Sequence, residues 1–181
     1  MKLLKISALA LVSALSLAAC GRDGLTGPGG LRNGQFDGVI AGTLNGRVEG
    51  RAVSGSTVSG FHDIIVLTDH AEGIEITLFH EDDEFYEGSY SIGDAVFGSR
   101  PIVAYVRLLD TGEWFDSLEG VIYLDDVYSG GIVGRASFRA ESDEVAGDIL
   151  DVDVEFAAAY AGRINFNLSP SLARGAKATT R

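Results

Sequence analysis

Leu150-Asp-Val-Asp-Val-Glu-Phe156 is the stretch that decides the fold class. Leu150, Val152, Val154 and Phe156 alternate with Asp151, Asp153 and Glu155. Successive side chains of an extended strand point to opposite faces. A period of two therefore puts four apolar groups on one face and three carboxylates on the other. The same beat recurs upstream. Ile132, Gly134, Ala136 and Phe138 alternate with Val133, Arg135, Ser137 and Arg139, and Ile74, Ile76 and Leu78 alternate with Glu75, Thr77 and Phe79. One face of each strand is wet, which predicts an antiparallel sheet.

Working outward, strands are predicted near 36–44, 47–53, 61–68, 73–80, 88–92, 101–109, 113–117, 119–125, 131–140 and 149–160, with a less patterned last strand over 163–168. Asn45-Gly46 reads as a two-residue hairpin turn, because both residues tolerate positive φ. Asp110-Thr-Gly112, Ser129-Gly-Gly131 and the Glu141–Asp148 stretch read as longer connections, and Ser54 to Gly60 as a polar loop. No stretch after residue 20 sustains a 3.6-residue period. The expected fold is all-β: an antiparallel β-sandwich or a flattened up-and-down β-barrel of about 8–11 short strands. It follows a cleaved signal peptide. A body of about 130 residues buries enough surface to fold without disulfides. No fixed repeat is visible, which argues against a propeller or solenoid.

Composition narrows the function classes. The 181 residues are 46% hydrophobic and 22% charged, as in a folded globular chain. Lys+Arg total 14 against 26 Asp+Glu, a formal charge of −12. That balance excludes a nucleic-acid partner, since neutralising phosphates needs surplus cations. A single Cys excludes an internal disulfide and a multi-cysteine metal centre.

The N-terminus carries an address. Lys2 and Lys5 precede an apolar run from Ile6 to Ala19, too short to span a bilayer and suited to a signal-peptide core. It ends in Leu17-Ala-Ala-Cys20, which resembles the bacterial lipobox. That resemblance implies a diacylglyceryl group on the Cys20 thiol, cleavage between Ala19 and Cys20, and acylation of the new amine with a fatty acid such as palmitate. Several acyl chains on one residue give lasting membrane attachment. The expected location is the bacterial cell envelope. Gly21, where Asp favours inner-membrane retention, implies the outer membrane rather than the inner. Cleavage removes two lysines and no acid, so the mature chain is more acidic still. Residues 1–19 are then signal, and 20–35 a lipidated Cys with a Gly-rich tether of about 20 Å reach. Residues 36–168 form the β-domain, and 169–181, with Arg174, Lys177 and Arg181, a flexible basic tail.

Three places in the body carry a second likeness. They are Ala41-Gly-Thr-Leu-Asn-Gly46 with Gly50-Arg-Ala52, Gly88-Ser-Tyr-Ser-Ile-Gly93, and Glu119-Gly-Val-Ile-Tyr-Leu124 with Gly134-Arg-Ala-Ser-Phe138. The body thereby resembles small uncharacterised all-β secreted bacterial lipoproteins. The likeness implies an all-β lipoprotein and brings no catalytic residue.

The search for chemistry returns little. No Gly-x-Ser-x-Gly elbow, P-loop or dinucleotide fingerprint is present. His62, His70 and His80 lack metal-ligand spacing. A 61–80 hairpin would bring His62 and His80 together beside Asp63, Glu81 and Asp82, a zinc reading to be set against a polar strand edge. Glu81, Asp82, Asp83 and Glu84 are calcium candidates by charge. They lack the spacing that wraps an ion, so a solvated negative face is the favoured reading. Trp114-Phe115 beside Glu113 and Asp116 reads as strand packing before it reads as a sugar platform. No cofactor is expected beyond the covalent lipid, that calcium candidate aside. The expected role is a non-catalytic binding module for an envelope protein or surface polymer. One alternative is a carrier of small apolar ligands with a lipocalin-like cavity, where Gly134, Ala136 and Ala158 leave interior space. A hydrolase is the third reading.

Overall fold

The computed structural model describes residues 30–57, 63–80, 84–93 and 102–165. The signal peptide, Ala19, Cys20, His62, Glu81, Asp82, Asp83 and the 169–181 tail lie outside the described residues. Nine strands make up the fold: β1 Gln35–Gly42, β2 Gly46–Thr57, β3 Asp63–Asp69, β4 Ile74–His80, β5 Gly88–Gly93, β6 Ile102–Leu108, β7 Trp114–Tyr128, β8 Gly131–Ser142 and β9 Ile149–Ile164. They close into a barrel in the order β1-β2-β3-β4-β6-β5-β7-β8-β9, with β9 returning to β1. The all-β expectation holds, and closure leaves no sheet edge open along the ring.

The order is sequential except where β5 slots between β6 and β7. This is one of two forks in the wall. At the turn, β6 and β7 pair directly, Tyr105 opposite Asp116 and Arg107 opposite Trp114. Further along, β5 wedges between them, pairing antiparallel with β7 (Ser91 opposite Val121) and parallel with β6 (Ile92 opposite Ile102). The second fork lies at the start of β1. Beyond Gln35 the end of β2 pairs parallel with the end of β9, Val53 opposite Ala159 and Thr57 opposite Ile164. The sheet is therefore mixed, not purely antiparallel as alternation alone predicts.

Ser117 explains how the first fork is held. Its side chain is fully buried, donates to the Gly93 carbonyl oxygen at 2.6 Å and accepts from the Ala104 amide at 3.0 Å. The hydroxyl thus ties β5 to β6 where their ladder begins. The register of β7 against β8 slips just after it, between Ser117 and Glu119. The bulge turns Leu118 outward and switches the inward-facing set from Phe115 and Ser117 to Ile122 and Leu124. That switch is why the sequence reads as two strands, 113–117 and 119–125, where the chain makes one.

Other differences have similar local causes. Ser54 to Thr57, expected in a loop, belong to β2, because the parallel partner β9 extends the wall there. No separate last strand appears among the described residues; β9 runs unbroken to Ile164. Asn45-Gly46 is not the centre of a two-residue turn. Gly46 pairs with Ile40, and Gly42 takes the positive φ (+117°). The Asn45 side chain closes the wider loop, donating to the Gly42 carbonyl at 2.8 Å and accepting from its amide at 3.3 Å. The Gly-rich stretch joins the wall slightly before Phe36. The Gly34 amide donates to the Ala157 carbonyl, and its own carbonyl accepts from Ala52.

The interior is one packed cluster. Phe36, Phe85, Phe115, Phe138 and Phe156 converge there with Leu and Ile from every strand but β2, which gives Val48 and Ala52. The space expected at Gly134 is filled: a Cβ there would meet Phe156 Cζ at 3.1 Å and Leu124 Cδ2 at 3.2 Å. A second, smaller cluster lies on the outer face of β3, β4 and β6. It comprises Ile64, Val66, Phe79, Val103 and Tyr105. These strands are buried on both faces, unlike the alternating β8 and β9.

Strand directions define two ends. The chain joins the barrel and β9 leaves it at one end, here the root, together with the β7–β8 turn. The turns β1–β2, β3–β4, β6–β7 and β8–β9 make up the other end, the crown.

Candidate functional site

The charged residues of β7, β8, β9, β1 and β2 form a grid on the outer wall, because closure brings distant segments into register. One row across the strands runs Tyr123, Arg135, Glu155, Asp37, Glu49. The next runs Val121, Ser137, Asp153, Val39, Arg47. The third, nearest the crown, runs Glu119, Arg139, Asp151, Ala41. All point outward, since their alternates Phe36, Ile40, Ala136, Phe138, Val152 and Val154 fill the interior.

Three arginines on this wall are committed. Arg47 forks onto Asp37, with Nε to Oδ1 at 2.9 Å and Nη2 to Oδ2 at 2.8 Å, and reaches Glu49 at 3.3 Å. Arg139 donates from Nε to Asp151 Oδ1 at 2.9 Å, directly across β8 and β9. Arg135 lies 4.9 Å from the centre of the Tyr123 ring and 3.8 Å from Asp125. The hydrogen bond from Arg47 holds the Asp37 carboxyl below its ordinary range, and Asp37 in turn raises Arg47. Asp151 raises Arg139 in the same way. These side chains are 39–67% exposed, so solvent screens each pair and leaves it little weight in stability. The charges are not what holds the barrel together.

Between the rows lies an open trough of about 620 Å³. Its walls are Glu119, Arg139, Asp151 and Asp153, and its floor is lowered by the small side chains of Ala41 and Ser137. Asp153 sits between Ser137 and Val39 and has no ion pair among the described residues. Val39, 54% exposed, gives the rim an apolar lip. Carboxylates outnumber arginines on this wall, and the surplus is solvent-facing. Asp151, Asp153 and Glu155 were legible as a wet strand face. Glu119 joins them through the β7–β8 and β8–β9 pairings, and Asp37 and Arg47 only through ring closure, which no local pattern reports.

The two described histidines, His70 and His80, lie apart. His70 is in the β3–β4 turn at the crown, and His80 ends β4 at the root. His80 is 5% exposed and edge-on to Phe85 (5.6 Å) and Tyr90 (5.8 Å). Asp63 is spent on structure: it accepts from the Phe85 amide at 3.0 Å and from Ser56 Oγ at 3.2 Å. Of the four calcium candidates only Glu84 is described, exposed beside the buried Phe85. Among the described residues no group of three or more His, Cys, Asp or Glu is arranged to hold a metal. Trp114 and Phe115 divide, as neighbours in a strand must. Phe115 enters the interior, while Trp114 packs on the outer cluster, edge-on to Tyr105 at 6.3 Å and 5.3 Å from the Arg107 guanidinium. That packing takes the indole away from the sugar-platform role. Among the described residues no helix is long and apolar enough to cross a membrane, a statement that does not bear on strands.

Comparison of the chain with protein-family models, with curated proteins and with solved structures finds no match.

Proposed function

We propose that this chain is a bacterial envelope lipoprotein, anchored through Cys20, whose β-barrel is a non-catalytic binding module. The partner class is a cationic segment of another envelope protein, and its seat is the trough lined by Glu119, Asp151 and Asp153. The surplus of exposed carboxylate around a concave, partly apolar-lipped surface is the observation that carries this reading. Complementary charge steers such a partner and fixes its orientation more than it adds raw affinity. The tether joins the barrel at the root, so the crown and the crown-side trough would face away from the lipid. Outer-membrane placement follows from Gly21.

The packed interior supports a module over a carrier. Phe156 and Leu124 occupy the space beside Gly134, and Ala136 and Ala158 belong to the same buried cluster. The lipobox pattern supports the anchor.

The test compares three forms of residues 21–181 immobilised on beads and offered detergent-solubilised envelopes: wild type, Glu119→Gln/Asp151→Asn/Asp153→Asn, and a control, Glu72→Gln/Glu87→Gln/Glu144→Gln. The control removes the same charge from exposed sites away from the trough. The proposal expects a protein retained by wild type and control, released by moderate salt and lost from the trough variant. Equal retention by all three forms, or no retained protein, overturns it.

A further inference from the structure

Lys is absent between residues 6 and 176, so arginine carries every fixed positive charge of the barrel. Arg47, Arg135 and Arg139 are spent on the wall that holds the trough. Arg51 and Arg107 belong to the opposite side of the ring. They stand in an outward row that runs Arg51, Thr68, Glu75, Arg107, Trp114 across β2, β3, β4, β6 and β7. Arg51 is exposed and has no ion pair among the described residues. Arg107 makes no ion pair with Glu75, directly across from it, and lies 5.3 Å from the centre of the Trp114 ring. Its Nε is buried and has no hydrogen-bond acceptor among the described residues. A charged donor in that state gains from a carboxylate that reaches the guanidinium.

This row is complementary to the trough. From β6 back to β2 it carries Arg107, Glu75, Thr68 and Arg51. From β7 to β1 the crown-side row of the trough carries Glu119, Arg139, Asp151 and Ala41. Both rows step from strand to strand at about 4.8 Å. Two copies with their crowns at the same end bring the rows face to face in this sense. Arg107 then meets Glu119, Glu75 meets Arg139, and Thr68 meets Asp151 as a hydroxyl donor. Arg51 falls opposite Ala41, about 5 Å from the Asp151 position and about 8 Å from that of Asp153, within reach of its long side chain. Like charges meet nowhere in this register. One molecule cannot make the contact with itself, because its row and its trough lie on opposite sides of a closed ring.

We propose that the trough of one copy seats the Arg51–Arg107 row of a second, so that anchored molecules associate side by side in the plane of the membrane. This rests on the trough reading above and adds a second copy of the chain to the cationic surfaces the trough takes. The match requires both crowns at the same end, which is how molecules anchored at the root stand. The contact is heterologous, since row and trough are different patches. Each pair therefore keeps one free row and one free trough, and the assembly can grow. Net negative charge opposes it, but a Debye length of about 8 Å at physiological salt screens that repulsion and leaves contact pairs in place. Anchoring in one membrane raises the effective concentration of neighbours, so weak polar contacts suffice.

Sedimentation of the 21–181 form tests the contact without the lipid, at protein concentrations up to about 1 mM. Wild type is compared with an arginine variant, Arg51→Gln/Arg107→Gln, and with the trough variant, Glu119→Gln/Asp151→Asn/Asp153→Asn. Wild type should form oligomers that grow with concentration, and each variant alone should stay monomeric. Mixed one to one, the variants should give a dimer and nothing larger, because one intact trough and one intact arginine row remain between them. A monomeric wild type, a variant that associates as wild type does, or a mixture that stays monomeric overturns the proposal. A monomeric wild type does so without touching the trough reading, which the envelope pull-down decides separately. Arg107 is half-buried, so its replacement can also impair folding. Arg51→Gln alone, at an exposed site, should still weaken association on the order of fivefold, and undiminished association overturns the proposal.

Discussion

Replacing Ser117 by Ala removes a single oxygen, yet it should be among the most damaging changes to the wall. The hydroxyl serves two main-chain groups at the β5–β6–β7 fork, the Gly93 carbonyl and the Ala104 amide, at 2.6 and 3.0 Å. Ser117 is fully buried, so water does not replace it. Leaving a buried polar group unsatisfied costs about 1–3 kcal/mol, and here two are left, giving about 3 kcal/mol in total. For a barrel of this size that corresponds to a fall in Tm of about 10 °C. Urea unfolding of the 21–181 form, followed by Trp114 fluorescence, measures the difference directly. Ser117→Thr keeps the oxygen and should recover part of the loss, offset by an added methyl in a tight site. A Ser117→Ala loss below about 0.5 kcal/mol, within the range of an ordinary surface change, would refute the reasoning.

Asp69 should give the fold an acid limit. Burial works against its charge, but the amides of Glu49, Glu72 and Ala71 donate to its carboxylate and prevail, and His70 adds to them, so its pKa is lowered. A depressed carboxyl stabilises the fold above its unfolded value, about 3.9, and the contribution is lost as pH falls through the folded value. Stability should therefore fall below about pH 4. Asp69→Asn should cost about 2 kcal/mol at pH 7 and flatten that acid-side fall, and an identical pH profile in urea titrations would contradict this. Gly38→Ala should destabilise the barrel by about 2 kcal/mol, because a Cβ there runs into the Asp153 carbonyl oxygen and Val154; a neutral effect on urea unfolding would contradict it. Arg139→Ala should leave thermal unfolding within the range of an ordinary surface change, since its pair with Asp151 is exposed, and a clear fall in Tm would make the charged wall structural.

Much of the barrel was legible because its strands announce themselves by period. β8 and β9 read correctly from alternation, since one face is core and the other water. The forks were not legible. Parallel pairing of β2 with β9 joins segments far apart in sequence, that of β5 with β6 covers two residue pairs, and neither leaves a local mark. The bulge after Ser117 inverts the alternation and so disguises one strand as two. The runs Ile64-Ile-Val-Leu67 and Ile102-Val-Ala-Tyr-Val106 did carry a signal: unbroken apolar residues indicate burial on both faces, which is what β3 and β6 show. The trough was half legible. Asp151 and Asp153 stood out, but Glu119 reaches them only across β8, and Ala41 and Val39 only when β1 closes on β9.

The most direct test of a solid-cored barrel that works through its outer wall is native mass spectrometry of residues 21–181, exported without lipid. A solid core predicts the bare polypeptide mass under conditions that preserve the fold. A retained organic mass the size of a lipid or other apolar small molecule would contradict it, and would move the function from the wall to the interior.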